Sequence, residues 1–119
     1  MTPAVREFLV RLSELLGREV PVTEARDTAL ARCGDLEIEV DDRAVIVRYS
    51  PEQIRFTSRD EALRFIEMVR DGRVELEVAR GVLWTTIRSY RDGLALPFRR
   101  TRMPWITLRP RSERRRLSV

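Results

Sequence analysis

A chain of 119 residues, 43% hydrophobic and 35% charged, has the size of one domain and can bury roughly two-thirds of the surface exposed by its unfolded form. That composition excludes an intrinsically disordered chain, the absence of His removes the commonest general base and metal ligand, and the lone Cys33 forms neither an internal disulfide nor a cysteine-rich zinc site. The formal charge of +4 is split unevenly: residues 1–98 hold 15 Arg against 18 carboxylates, a net of −3, whereas residues 99–119 hold eight Arg against Glu113, a net of +7.

Thr2-Pro3 opens a first helix, with a hydroxyl at the N-cap and proline in the first turn, where no backbone donor is needed. Val5, Phe8, Leu9, Leu12, Leu15 and Leu16 recur at helical spacing, and Gly17 ends the helix. Glu7 with Arg11 and Glu14 with Arg18 form i,i+4 pairs on its polar side. Val20-Pro21-Val22 is extended, because the residue before proline avoids the helical region. Residues 23–33 fit either a short helix carrying Ala25, Ala29, Leu30 and Cys33, or a strand from Thr28 to Cys33 that turns at Gly34-Asp35. The strand is the preferred reading.

From Leu36 the apolar period becomes two. Leu36, Ile38 and Val40 alternate with Glu37 and Glu39, Asp41-Asp42-Arg43 supplies a turn, and Ala44 to Tyr49 returns as a β-branched strand. Ser50-Pro51-Glu52 breaks the hairpin before a short strand over 53–56. Ser58-Arg59-Asp60-Glu61 fits a capping box for a second helix, buried through Ala62, Leu63, Phe65, Ile66 and Val69, with Asp60 and Arg64 paired outside and Gly72 as the stop.

Val74, Leu76 and Val78 alternate with Glu75 and Glu77, and Arg80-Gly81 turns into the strand-like run from Val82 to Ile87. Asp92-Gly93 is a hairpin turn into Leu94, Leu96 and Phe98, a strand that Pro97 confines to an edge. Met103-Pro104 interrupts the chain, Trp105 to Leu108 is a short apolar strand closed by Pro110, and residues 111–119 read as an open basic tail. Gly34 to Val40 resembles Gly72 to Val78, 38 residues later, but aliphatics alternating with Glu after a helix-stopping Gly are generic.

The expected fold is α+β: two amphipathic helices packed on a mainly antiparallel sheet built from hairpins, forming a globular body over 1–98, with a basic C-terminal extension over 99–119. No apolar run reaches the ~20 residues of a membrane-spanning helix, and residues 1–17 carry acidic residues unlike a signal peptide. The expected compartment is therefore cytoplasmic, without a membrane partner.

Catalysis is not expected. Adjacent Asp41 and Asp42 suit a divalent cation, but a hairpin tip selects them for conformational reasons. Cys33 has no His to activate it, and the five glycines are isolated and build no phosphate loop. No catalytic residue, metal ligand or cofactor is assigned.

The functional expectation rests on the arginines. All 23 basic residues are Arg; Asn is missing as well, and Gln53 is the only Gln. Chemistry gives no reason to lose Lys and Asn together, so codon usage accounts for the choice of Arg, and its clustering carries the information. Arg99, Arg100, Arg102, Arg109, Arg111, Arg114, Arg115 and Arg116, interleaved with Phe98 and Trp105, combine charge for phosphates with rings for bases. The expectation is a non-enzymatic adaptor whose arginine-rich segment engages nucleic acid or another polyanion. The alternative is a protein–protein interaction module, such as an immunity protein, a chaperone or a phage or assembly component. There the edge strand near Pro97 and the patch at 105–108 make the contact, the arginines meet an acidic partner, and self-association is allowed. A competing fate for the arginines is pairing with the Glu37/Glu39 and Glu75/Glu77 faces.

Overall fold

The computed structural model describes the backbone of residues 1–49, 52–80, 84–91, 94–104 and 111–119, with side chains except those of 80, 84–90, 94–104 and 111–112. The chain divides into two compact units, Met1–Asp71 with Ser118–Val119, and Gly72–Leu117. The class is α+β, as the apolar periods predict.

The first unit runs α1 (Pro3–Leu16), β1 (Val22–Ala25), β2 (Thr28–Cys33), β3 (Leu36–Val40), β4 (Val45–Tyr49), β5 (Glu52–Phe56) and α2 (Arg59–Arg70). Its five strands pair in chain order, antiparallel throughout. Both helices start as their caps dictate. The Thr2 hydroxyl accepts the Val5 N–H, and the Ser58 hydroxyl accepts the Glu61 N–H. Gly17, at φ +67°, closes α1.

Period-two burial selects one face of this sheet as the core. Ala29, Ala31 and Cys33 of β2, Leu36, Ile38 and Val40 of β3, and Val45, Val47 and Tyr49 of β4 are all buried, as are Val5, Phe8 and Leu12 of α1 and Ala62, Phe65, Ile66 and Val69 of α2. Tyr49 and Phe56 meet Phe65 at ring-centroid distances of 6.0 and 5.6 Å. Each large aliphatic or aromatic side chain removed from water here contributes about 1.5–3 kcal/mol. The helices run side by side in the same direction. At their N-terminal ends the Thr2 hydroxyl donates to Asp42, and Arg59 donates to the Asp42 carbonyl at 3.1 Å. At the other end Arg70 donates to the Leu15 carbonyl at 3.0 Å.

The ambiguous stretch resolves as two strands. Alternate burial of Ala29, Ala31 and Cys33 is a sheet period, and the helical alternative would set these residues on diverging faces. Arg26, at φ +54°, makes the β1–β2 turn. Asp60 pairs across to Arg11 of α1 at 2.9 Å rather than along its own helix to Arg64, because the parallel helices bring the two together.

The second unit contains β6 (Val74–Arg80), β7 (Trp84–Arg91), β8 (Leu94–Pro104) and β9 (Arg111–Arg116), in the spatial order β8-β7-β6-β9. Three successive strands plus a fourth returning beside the first is Greek-key order. β8 lies at an edge, where Pro97 requires it. Arg91 pairs with Leu94; the turn expected at Asp92-Gly93 lies outside the described residues. Arg88 pairs with Arg100 but Tyr90 with Ala95, leaving residues 96–99 opposite Ser89 alone. Pro97 sits in that bulge. Past it the strand continues beyond Phe98 and ends at Pro104, where the sequence places a break. The expected break at Ser50-Pro51, the turn at Gly81 and the strand at 105–108 with Pro110 lie outside the described residues.

The basic extension is not an open tail. Residues 111–116 form β9, antiparallel to β6 from Glu75↔Arg116 to Arg80↔Arg111, and Leu117, buried, donates its N–H to the Val74 carbonyl at 2.9 Å. The physical reason is twofold. Strand β6 has an edge of backbone donors and acceptors to satisfy, and its glutamates match arginines spaced by two. The charge boundary between residues 98 and 99 falls inside β8.

Candidate nucleic-acid interface

Strand alternation sorts the arginines by face. Cross-strand partners share a face, so the register reads as rows across the four-stranded sheet. One row is Arg116, Glu75, Tyr90; the next is Arg114, Glu77, Arg88, Arg100; a third is Ser112, Ala79, Thr86, Arg102. The opposite face carries Val74 and Leu76, both buried, together with Val78, Ile87 and Arg115. The first face therefore gathers five arginine positions, 88, 100, 102, 114 and 116, against two glutamates. The formal charge of these seven positions is +3.

Those glutamates organise the face. The Arg114 guanidinium bonds the Glu75 carboxylate across the ladder, with side-chain exposures of 42% and 31%. An ion pair this wet is screened and contributes little to stability. Its consequence is positional: it fixes one guanidinium above β6. The Arg116 stem lies over Gly72, its Cδ 3.0 Å from where a Cβ would stand.

Of the eight arginines singled out in the sequence, Arg100, Arg102, Arg114 and Arg116 come together on this face. Arg111 and Arg115 take positions on the other, and Arg99 and Phe98 fall in the β8 bulge. Arg109 and Trp105 lie outside the described residues. Sequence reasoning missed Arg88 and Tyr90, which sit two apart on β7 and share the charged face. Their period-two spacing inside a strand-like run was the available signal.

The remaining candidates have structural roles. Asp41 Oδ1 accepts the Arg43 and Ala44 N–H groups at 2.7 and 2.8 Å, a side-chain-closed turn. The backbone donors of Ala44 and then Arg43 hold its carboxyl below the usual range. Asp42 accepts the Thr2 hydroxyl. Among the described residues no three metal-ligating side chains cluster. Cys33 is buried in the core, and desolvation pushes its thiol pKa up against a smaller opposing pull from Arg18.

On the first unit, the sheet face away from the helices carries a balanced ladder. Arg32 and Arg48 flank Glu37 at 3.9 and 3.8 Å, and Arg48 donates to Glu39 at 2.6 Å. At one end of that sheet Arg32, Gly34, Asp35, Leu36, Glu37, Arg48, Glu52 and Gln53 line an open bowl of about 520 Å³. With arginines and carboxylates interleaved there, a polyanion gains far less than on the second unit.

Comparison with protein-family models, curated proteins and solved structures finds no match for this chain. Among the described residues no helix is long and apolar enough to cross a membrane.

Proposed function

We propose that this chain is a non-enzymatic cytoplasmic binding protein that holds a single-stranded nucleic acid, or a polyanion of like charge density, on the arginine face of its four-stranded sheet. The observation that supports this reading is the register that collects Arg88, Arg100, Arg102, Arg114 and Arg116 around Glu75 and Glu77. Arginine neutralises phosphates and releases counterions. Tyr90, with Phe98 and Trp105 nearby in the chain, supplies rings for base stacking. A sheet face suits unpaired bases, which can lie across it, better than a duplex whose grooves call for a protruding element.

The purified protein is expected to carry nucleic acid, seen as a raised 260/280 nm absorbance ratio that nuclease and high salt both lower. On size exclusion it should co-elute with an added single-stranded oligonucleotide. A normal ratio with no co-elution would overturn the reading. Self-association independent of oligonucleotide would favour a protein–protein module instead.

A further inference from the structure

In the first unit, the β2–β3 turn already holds a peptide segment. Gly34, at φ +55°, and Asp35 link the paired residues Cys33 and Leu36. Three hydrogen bonds tie this turn to Ser118. The Asp35 N–H donates to the Ser118 carbonyl at 2.9 Å. The Ser118 N–H donates to Asp35 Oδ2 at 3.0 Å, and the Ser118 hydroxyl donates to the same oxygen at 3.3 Å. Backbone alone would satisfy the first two; the third reads the side chain and favours a hydroxyl.

Gly34 makes room for this arrangement. A Cβ there would stand 2.6 Å from the Ser118 carbonyl oxygen and 2.7 Å from Val119 Cα, so only glycine lets the segment lie against the turn. The same Gly34 and Asp35 also line the 520 Å³ bowl, together with Arg32, Arg48 and Glu37. Donors, an acceptor, a surface without a side chain and an adjoining polar cavity are what an extended peptide needs for recognition.

We propose that the β2–β3 turn is a peptide-binding seat for an extended segment bearing serine or threonine, and that Ser118-Val119 occupies it in cis. The occupant, tethered in the same chain, competes at an effective concentration on the order of millimolar. The seat therefore accepts a second peptide only when its own segment is displaced. This inference rests on the first unit alone and does not depend on the nucleic-acid reading.

The test uses the full chain and its Ser118→Asp variant, in which a carboxylate replaces the hydroxyl beside Asp35. The probe is a fluorescein-labelled hexapeptide with the sequence of residues 114–119, and its Ser→Ala counterpart. The S118D chain should bind the serine peptide at least about tenfold more tightly than the unaltered chain does. The alanine peptide should bind about fivefold more weakly, the loss of one hydrogen bond, and Gly34→Ala in the S118D background should abolish binding. Amide exchange provides a second readout: Asp35 should exchange about tenfold faster in S118D and recover protection on adding the serine peptide. Equal binding by the two chains, equal binding of the two peptides, or Asp35 exchange unmoved by the peptide would each overturn the proposal.

Discussion

Arg114 bonds Glu75 diagonally across the β6–β9 ladder, although the backbone register sets it opposite Glu77. Diagonal neighbours in a sheet are within reach of long side chains. The pair is half exposed, so a double-mutant cycle with Arg114→Ala and Glu75→Ala should give a coupling of only about 0.5 kcal/mol, falling as salt rises. A coupling above about 2 kcal/mol would mean that β9 is held chiefly by charge and not by its backbone ladder.

Gly34 and Gly17 offer a matched comparison. Both have positive φ, but nothing lies within 4 Å of a Cβ at Gly17. Gly17→Ala should cost about 1 kcal/mol of conformational strain. Gly34→Ala should cost that and also the Ser118 contacts, about 2–3 kcal/mol in all. Chemical denaturation reads both, and equal costs would contradict the seated position of Ser118-Val119.

Asp41 predicts a component of the acid limb. Its folded-state pKa lies below the unfolded value, so its stabilising contribution is complete above about pH 4 and is lost as pH falls through the folded pKa. Asp41→Asn keeps an acceptor for the turn and should flatten that part of the stability–pH curve. Asp41→Ala should lose about 1–2 kcal/mol at neutral pH, the worth of two backbone hydrogen bonds.

Cys33, buried and with its thiol pKa raised, should react with a thiol reagent only when the core opens. At pH 8 the native rate should be about a hundredfold or more below that in denaturant. Comparable rates would place Cys33 at the surface and contradict the β2 register.

Most of the first unit was legible because burial there follows simple periods. Val5, Phe8 and Leu12 mark a helix, and Leu36, Ile38 and Val40 mark a strand. β9 was not legible, since Arg111 to Arg116 has no apolar alternation and its partner lies 39 residues earlier, from Arg114 to Glu75. The available signal was electrostatic: Glu75 and Glu77 are two apart, as are Arg114 and Arg116, so two antiparallel strands bring them into register. The bulge at Pro97 hid the full length of β8 and with it the pairing of Arg88 with Arg100. The likeness of residues 34–40 to 72–78 has a counterpart in space. Each segment becomes an interior strand entered from a glycine of positive φ; Glu37 stands opposite Arg32 and Arg48 and Glu77 opposite Arg88 and Arg114, whereas Glu39 stands opposite Leu30 and Ile46.

The most direct test of the central claim is the salt dependence of binding to a labelled single-stranded oligonucleotide, measured for the natural chain and for Arg100→Ala with Arg102→Ala. A surplus of three charges predicts that log K falls with log salt at a slope of about −2, and that the double substitution brings this to about −0.7. Absence of binding at low salt, or a slope that the two substitutions leave unchanged, would contradict the arginine face as the ligand site.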